Sequence, residues 1–155
     1  MWITSSSVAA GADVPIRFAE PGVGGDNVSP ALAWGDAPEG TQSFMVTCFD
    51  PDAPTGSGWW HWVVTDIPAS VHELPEAGPL PSEARTWPTD YGYAGWGGPW
   101  PPPGPAHHYE FKVTALSVER LDVPDDTTSA NARLMASFAA LGSATFVSTF
   151  ANPAS

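Results

Sequence analysis

The segment His107-His-Tyr-Glu-Phe-Lys-Val-Thr-Ala115 carries the clearest alternation of the chain. Its odd-numbered positions hold mostly apolar and aromatic residues and its even-numbered positions hold polar ones, which is typical of a half-buried β-strand. His107 and Tyr109 therefore share a face with core residues, at the strand end nearest the proline-rich run 101–105. The pattern predicts a strand that brings two polar side chains to the edge of a hydrophobic core.

Two further segments predict buried strands. Residues 43–49 are short and almost continuously apolar, as in a central strand that is buried on both faces. Residues 59–67 are rich in the aromatic and β-branched residues that strands favour. Shorter strands are predicted over residues 14–18 and 32–34.

One helix is predicted near the C-terminus. Residues 125–129 offer several N-cap side chains. Three apolar residues follow at helical spacing, namely Leu134, Phe138 and Leu141. Gly142 is expected to end the helix, since glycine is common just beyond a helix C-terminus. For residues 145–150 the periodicity leaves both a last strand and a second short helix open.

The composition predicts one mainly β domain over residues 1–155, with no internal repeat or linker. The chain has 18 prolines and 15 glycines, which argue against an all-helical protein and for short strands joined by stiff loops. Residues 74–104 are mostly proline, glycine and tryptophan and are expected to form an irregular but ordered loop. A loop that long inside one domain is often functional.

The charge excludes several classes of partner. The formal net charge of −12 repels nucleic acid and disfavours stable membrane association. No secretory signal or membrane-spanning apolar stretch is recognised. Cys48 is the only cysteine, lies in an apolar run and is expected to be a buried core residue without a disulfide. We therefore expect a soluble cytoplasmic protein with no cofactor.

Several polar side chains follow or interrupt the apolar segments. Asp50 ends a buried strand, Asp52 lies in a turn stiffened by prolines, and His61 lies between two tryptophans. Each has a purely structural explanation: turn chemistry for the aspartates, and a carbonyl-bound core histidine for His61. Together with His107 and Tyr109, however, they predict one cluster, because each buried polar group otherwise needs a partner of its own.

Such a cluster suits an anion. Imidazole N–H and phenol O–H groups donate hydrogen bonds, and glycine-rich loops add backbone N–H groups. We expect His61 and His107 to donate to the anion, and Asp50 and Asp52 to orient the histidines and the backbone. The hypothesis is a pocket for phosphate or a similar anion.

Three other kinds of site have weaker support in the sequence. Two histidines and a carboxylate, His61, His107 and Asp50, are a valid ligand set for zinc or iron, but the close helical spacing common among metal ligands is absent. No Gly-x-Ser-x-Gly motif or accessible cysteine supplies a nucleophile, so no catalytic residue is assigned. The tryptophans at 87, 96 and 100 would suit a platform that stacks sugars.

The motifs together resemble the phosphatidylethanolamine-binding protein family, also called the Raf kinase inhibitor protein family. The residues that carry the resemblance are Asp50-Pro-Asp-Ala-Pro54, Trp60-His61 followed by Val63-Val64, Pro102-x-Gly104 leading to His107-x-Tyr109, and Gly25-Asp-Asn-Val-Ser-Pro30. They occur in the family's order along nearly the whole chain and are most similar to its bacterial branch. His108 is a departure, because relatives often have arginine there.

The resemblance implies an antiparallel β-sandwich with one or two short peripheral helices, one of them near the C-terminus. It also implies a small pocket that binds phosphate and phosphorylated head groups. The expected ligand-binding residues are Asp50, Asp52, His61, Pro102, Gly104, His107 and Tyr109.

The function expected from the resemblance is non-enzymatic binding of a small anionic ligand, with a kinase-inhibitor or signalling role. A protein kinase or another phosphoprotein is the expected protein partner, and a homodimer is a further expectation. Two alternatives stay open: a metal-assisted hydrolase using His61, His107 and Asp50, and a protein-interaction module whose pocket is vestigial.

Overall fold

Two antiparallel sheets form the framework of the computed structural model, which describes residues 1–155. The strands are β1 (Trp2–Thr4), β2 (Leu32–Gly35), β3 (Ser43–Asp50), β4 (Trp59–Pro68), β5 (Glu73–Leu74), β6 (Arg85–Thr86), β7 (His107–Leu116) and β8 (Ala140–Phe150). The single α-helix, α1, spans Ser129–Ala139, and two 3-10 turns span Ile16–Phe18 and Pro21–Val23. This mainly β architecture with one helix near the C-terminus confirms the expected fold class.

The larger sheet has the strand order β6-β4-β3-β7-β8, and the smaller has the order β1-β2-β5. β3 lies at the centre of the larger sheet, which agrees with the continuous apolar run that predicted it. Its neighbours β4 and β7 both run antiparallel to it. The end of β3 therefore lies beside the beginnings of β4 and β7.

The main core lies between the two sheets. Phe44 and Cys48 of β3 and Phe111 of β7 are fully buried there, so the prediction of a buried Cys48 is confirmed. Trp34 of the smaller sheet meets Phe44 edge to face, with ring centroids 5.6 Å apart. Burying each of these side chains stabilises the fold by roughly 1.5–3 kcal/mol, so the sheet-to-sheet contact is the main source of cohesion.

Helix α1 packs on the other face of the larger sheet, with a face that differs from the prediction. Its cap is Thr128, whose side chain accepts a hydrogen bond from the backbone N–H of Asn131 (3.0 Å). The buried residues are Ala132 and Ala136, which lie against the sheet, because small side chains let the helix approach closely. The three apolar residues expected to face the core are exposed instead: Leu134, Phe138 and Leu141.

Two boundaries also differ from the prediction. The helix ends at Ala139 and β8 begins directly, so Gly142 lies inside the strand and residues 145–150 are strand. The segment 14–18 is not a strand; Pro15 opens the 3-10 turn that the Phe18 N–H closes on the Pro15 carbonyl (3.1 Å). Proline lacks the N–H group that a strand ladder needs.

The strands β1, β5 and β6 have two or three residues each, too few to show a periodicity in the sequence. No helix of this fold has the length and apolar character needed to cross a bilayer.

Candidate ligand-binding site

A pocket of about 180 Å³ opens where the end of β3 meets the beginnings of β4 and β7. The antiparallel order of these strands brings Asp50, His61 and His107 to the same edge of the sheet although they are far apart in the sequence. The lining residues are Asp50, Ala53, Pro54, Thr55, Trp59, His61, Tyr91, Trp100, Pro101, Pro102, His107 and Tyr109. The pocket therefore brings together Asp50, His61, His107 and Tyr109, four of the five polar residues that the sequence predicts to cluster.

His61 owes its direction to an irregularity in β4. The register with β3 passes from Cys48 opposite Trp62 to Phe49 opposite Trp60, which leaves His61 as an extra residue. An extra residue of this kind forms a β-bulge, and bulges re-aim side chains beside functional sites. His61 consequently faces the pocket while Trp62 remains in the core.

Asp50 and His107 form a buried pair at the pocket floor. Oδ2 of Asp50 lies 2.7 Å from Nδ1 of His107, and Oδ1 accepts a hydrogen bond from the backbone N–H of Asp52 (2.8 Å). Both oxygens of the carboxylate are thus engaged. The carboxylate holds the His107 ring by Nδ1 and leaves Nε2 as the nitrogen available to a ligand.

The second imidazole is held by the backbone. Nδ1 of His61 donates to the carbonyl oxygen of Gly97 at 2.6 Å. Burial lowers the pKa of His61 to about 4, so the ring is neutral at neutral pH. A neutral ring with its proton on Nδ1 presents Nε2 as an acceptor. The expectation that both histidines donate therefore does not fit this geometry for His61.

Two donors in the pocket lack a partner. The hydroxyl of Tyr109 and the indole N–H of Trp59 are buried, and neither makes a hydrogen bond within the protein. Burial raises the pKa of Tyr109, so the phenol keeps its proton and remains a donor. Buried polar groups are rarely left unpaired, because each costs roughly 1–3 kcal/mol. These two groups mark the part of the pocket where a ligand acceptor fits.

The mouth of the pocket is aromatic and proline-rich. Trp100 is 52% exposed, and its ring lies against Gly22, where an added Cβ would come within 2.4 Å of it. The Tyr91 ring meets Trp59 and His61 edge to face, while its hydroxyl donates to the Gly98 carbonyl (2.8 Å). The rim therefore offers an apolar surface to whatever group is attached to a bound anion.

Asn27, from the motif at residues 25–30, supports the pocket without lining it. Its Oδ1 accepts a hydrogen bond from the Gly98 N–H (2.7 Å), and its Nδ2 donates to the Trp96 carbonyl (3.4 Å). Gly97, between these two residues, holds His61. Asn27 thus fixes the loop that positions the His61 ring.

Five of the seven predicted binding residues line the pocket: Asp50, His61, Pro102, His107 and Tyr109. Asp52 does not, because its Oδ2 accepts hydrogen bonds from the backbone N–H and Nδ1 of the outward-facing His108, both at 2.7 Å. The hydrogen bond from the His108 side chain is the main cause that lowers the pKa of Asp52. Gly104 is exposed and donates from its N–H to Oγ of Ser155 (2.9 Å).

Several residues of the pocket wall are not among the predicted binding residues. Trp59 was detectable, because it lies two positions before His61 and so on the same face of a strand. Tyr91 carried no such signal, since it reaches the pocket from an irregular loop. Three further wall residues, Ala53, Pro54 and Thr55, lie at the end of the Asp50–Pro54 motif or directly after it.

The alternative sites gain no support from the geometry. No group of three or more histidine, cysteine or acidic side chains is placed to hold a metal ion. The tryptophan platform is wrong, because Trp87 and Trp96 are buried (1% and 8% exposed) and pack in the interior. Only Trp100 of that set is exposed.

Comparison with known proteins agrees with the fold and the motifs. The family model described as phosphatidylethanolamine-binding protein matches residues 4–151. Protein YbhB of Escherichia coli K12 is 43% identical over 157 aligned residues, covering 97% of this chain and 99% of YbhB. YbcL of the same bacterium is 47% identical over 137 residues, covering 83% of this chain and 75% of YbcL.

Solved structures are similar over the same extent. The crystal structure of Escherichia coli YbcL, described as a new member of the mammalian PEBP family, superposes with a TM-score of 0.91 at 41% identity and covers 97% of each chain. The putative PEBP homologue CT736 of Chlamydia trachomatis gives a TM-score of 0.84 at 25% identity, covering 96% of this chain and 95% of its own. By sequence and by fold, the chain belongs to the phosphatidylethanolamine-binding protein family.

Proposed function

We propose that this protein binds a phosphate-type anion in the pocket between β3, β4 and β7, and that it does so without catalysing a reaction. The observation that carries the proposal is the pair of buried, unpartnered donors, the Tyr109 hydroxyl and the Trp59 indole N–H. The net charge of −12 repels an anion at long range. Hydrogen-bond donors can hold one only at close range, in a site from which bulk water is excluded.

The remaining polar atoms favour an anion that still carries a proton. Nε2 of the neutral His61 accepts, so it pairs with an acidic O–H group of the ligand. Phosphate esters with a single P–O–H group supply that proton, because their second pKa is about 6. His107 presents its Nε2 atom to the same space, because its Nδ1 atom is held by the Asp50 carboxylate at 2.7 Å.

A non-enzymatic role fits the hydroxyl groups of the pocket. The Thr55 hydroxyl donates to the carbonyl of Gly58 (2.6 Å). The Tyr109 phenol has a raised pKa and therefore resists ionisation. Neither group is activated as a nucleophile, since activation requires an adjacent base or a lowered pKa.

We extend the proposal to phosphorylated proteins as partners, including protein kinases. A phosphorylated side chain presents the same oxyanion as a small phosphate ester. The exposed Trp100 and the proline wall at Pro101 and Pro102 would contact the group that bears the phosphate. This role depends on anion binding in the pocket, so a pocket that binds no phosphate would exclude it.

Calorimetric titration with inorganic phosphate and phosphoethanolamine tests the pocket. Saturable binding is expected for the chelator-treated protein, and Tyr109→Phe should weaken it about tenfold or more, because a hydrogen bond to a charged ligand is lost. Tyr109→Phe removes only the unpartnered hydroxyl, so the fold should be unaffected.

His108→Ala is the matched control, since His108 is the next residue along β7 and faces outward. It should leave the affinity unchanged. Absence of binding, or equal loss in the two variants, would contradict the proposal and favour the protein-interaction alternative.

A further inference from the structure

A second groove lies on the opposite side of the larger sheet, between the sheet and helix α1. It has a volume of about 250 Å³ and is defined here by Met45, Thr47, Trp60, Lys112, Thr114 and Arg133. The β3–β7 register places Met45 opposite Thr114 and Thr47 opposite Lys112, so the floor is a continuous patch of the sheet. Arg133 reaches it from α1. The groove has no residue in common with the phosphate pocket.

The charge distribution singles out this groove. The chain has five lysine and arginine residues against 17 acidic ones. Three of the five form ion pairs, namely Arg17, Arg85 and Arg120. The other two, Lys112 and Arg133, form no ion pair with any carboxylate, and both line the groove. The cations that the protein leaves unneutralised are therefore concentrated in one place.

Arg133 is held in a way that leaves its charge free. Its guanidinium carbon lies 3.8 Å from the centroid of the Trp60 ring, which fixes the side chain by a cation–π contact. Its Nε atom is buried and makes no hydrogen bond. Burial lowers the pKa of Arg133, and the nearby Asp90 offsets this only partly. A half-buried guanidinium without a carboxylate partner is costly, and an anion would relieve that cost.

The floor supplies two hydroxyl groups. Thr47 and Thr114 are only 4% and 5% exposed, and both line the groove. Neither hydroxyl makes a hydrogen bond to another group of the protein. Both hydroxyls are therefore free to donate to an acceptor atom of a ligand in the groove.

We propose that this groove binds a small organic anion that has one carboxylate or phosphate group and an aromatic or alkyl part. The oxyanion lies between Lys112 and Arg133 and accepts hydrogen bonds from the two threonine hydroxyls. The apolar part lies against Met45 and Trp60. Glu110 lines the adjoining cavity and disfavours a second negative charge at that end.

Titration of the ¹⁵N-labelled protein with benzoate or phenyl phosphate tests this inference. Saturable shifts are expected at the backbone amides of residues 45–47 and 112–114, and benzyl alcohol, which lacks the charge, should give none. Comparing the two anions shows whether the site prefers carboxylate or phosphate. The titration is run in the Tyr109→Phe background, so that failure of the phosphate pocket does not affect the result.

Lys112→Gln should weaken binding in the groove about tenfold, because it removes one charged donor from an exposed strand position. Arg17→Gln is the matched control, since it changes the net charge equally at a remote ion pair with Glu76. Shifts confined to the phosphate pocket, equal binding of benzyl alcohol, or equal weakening by both variants would each overturn the proposal.

Discussion

The Nδ1 atom of His107 lies 2.7 Å from Oδ2 of Asp50, and both side chains are nearly inaccessible to water. The pair joins the end of β3 to the beginning of β7, and it sets which nitrogen of His107 meets the pocket. It also means that the two residues depend on each other. Removing one leaves the other buried without its partner, which costs more than the net contribution of the intact pair.

His107→Ala should lower the free energy of unfolding at pH 7 by about 1–3 kcal/mol, because the Asp50 carboxylate loses its main partner. Adding Asp50→Asn should recover part of this loss, since the buried charge is then gone. Urea unfolding of the two single variants and the double variant measures the coupling. Simple additivity of the two effects would contradict the paired arrangement.

His61 should make stability depend on pH in a definite window. Its folded-state pKa of about 4 lies below the ordinary value of 6.5, so the unfolded chain binds the proton more readily. The stabilisation is therefore complete above pH 6.5 and is lost as the pH falls through 4, amounting to about 3 kcal/mol in all. Unfolding measured from pH 4 to 7 on the wild type and on His61→Gln isolates this contribution. Parallel stability curves for the two proteins would show that His61 is not buried neutral.

The acceptor character of His61 predicts a preference between two similar anions. Phosphate near pH 6 retains a proton that Nε2 of His61 accepts, whereas sulfate does not. Phosphate should therefore bind at least about tenfold more tightly than sulfate, because sulfate would leave the buried Nε2 of His61 without a hydrogen bond. Phosphate affinity should fall as the pH rises from 6 to 8. Competition titrations measure both effects. In His61→Gln the difference in affinity between phosphate and sulfate should become smaller, because the glutamine amide can also donate a hydrogen bond.

Helix α1 offers a direct test of which face is buried. Phe138 is 75% exposed, so Phe138→Ser should change the free energy of unfolding by less than about 0.5 kcal/mol. Ala136 is fully buried against the sheet, so Ala136→Leu should cost about 1–3 kcal/mol by overpacking. Thermal or urea unfolding compares the two. A larger loss of stability in Phe138→Ser than in Ala136→Leu would show that the helix face predicted from the apolar spacing is the buried one.

The long strands could be predicted from the sequence because each carries a local pattern. The alternation of residues 107–115 and the apolar run of residues 43–49 correspond to β7 and β3 with errors of one residue at an end. The motifs also indicated Asp50, His61, His107 and Tyr109 as one cluster, since polar groups on apolar strands need partners.

The tertiary structure decided what depends on distant contacts. Helix α1 turns Ala132 and Ala136 inward because the sheet leaves little room there. The apolar pattern of the helix does not show how closely it approaches the sheet. The donor and acceptor roles in the pocket depend on Gly97, which holds His61 from 36 residues away. Asp52 forms a hydrogen bond with His108, because the turn after β3 directs its carboxylate outward. Local patterns thus determined which residues form strands and which polar groups cluster, whereas three-dimensional packing determined the neutral, accepting state of His61 and the side that each group faces.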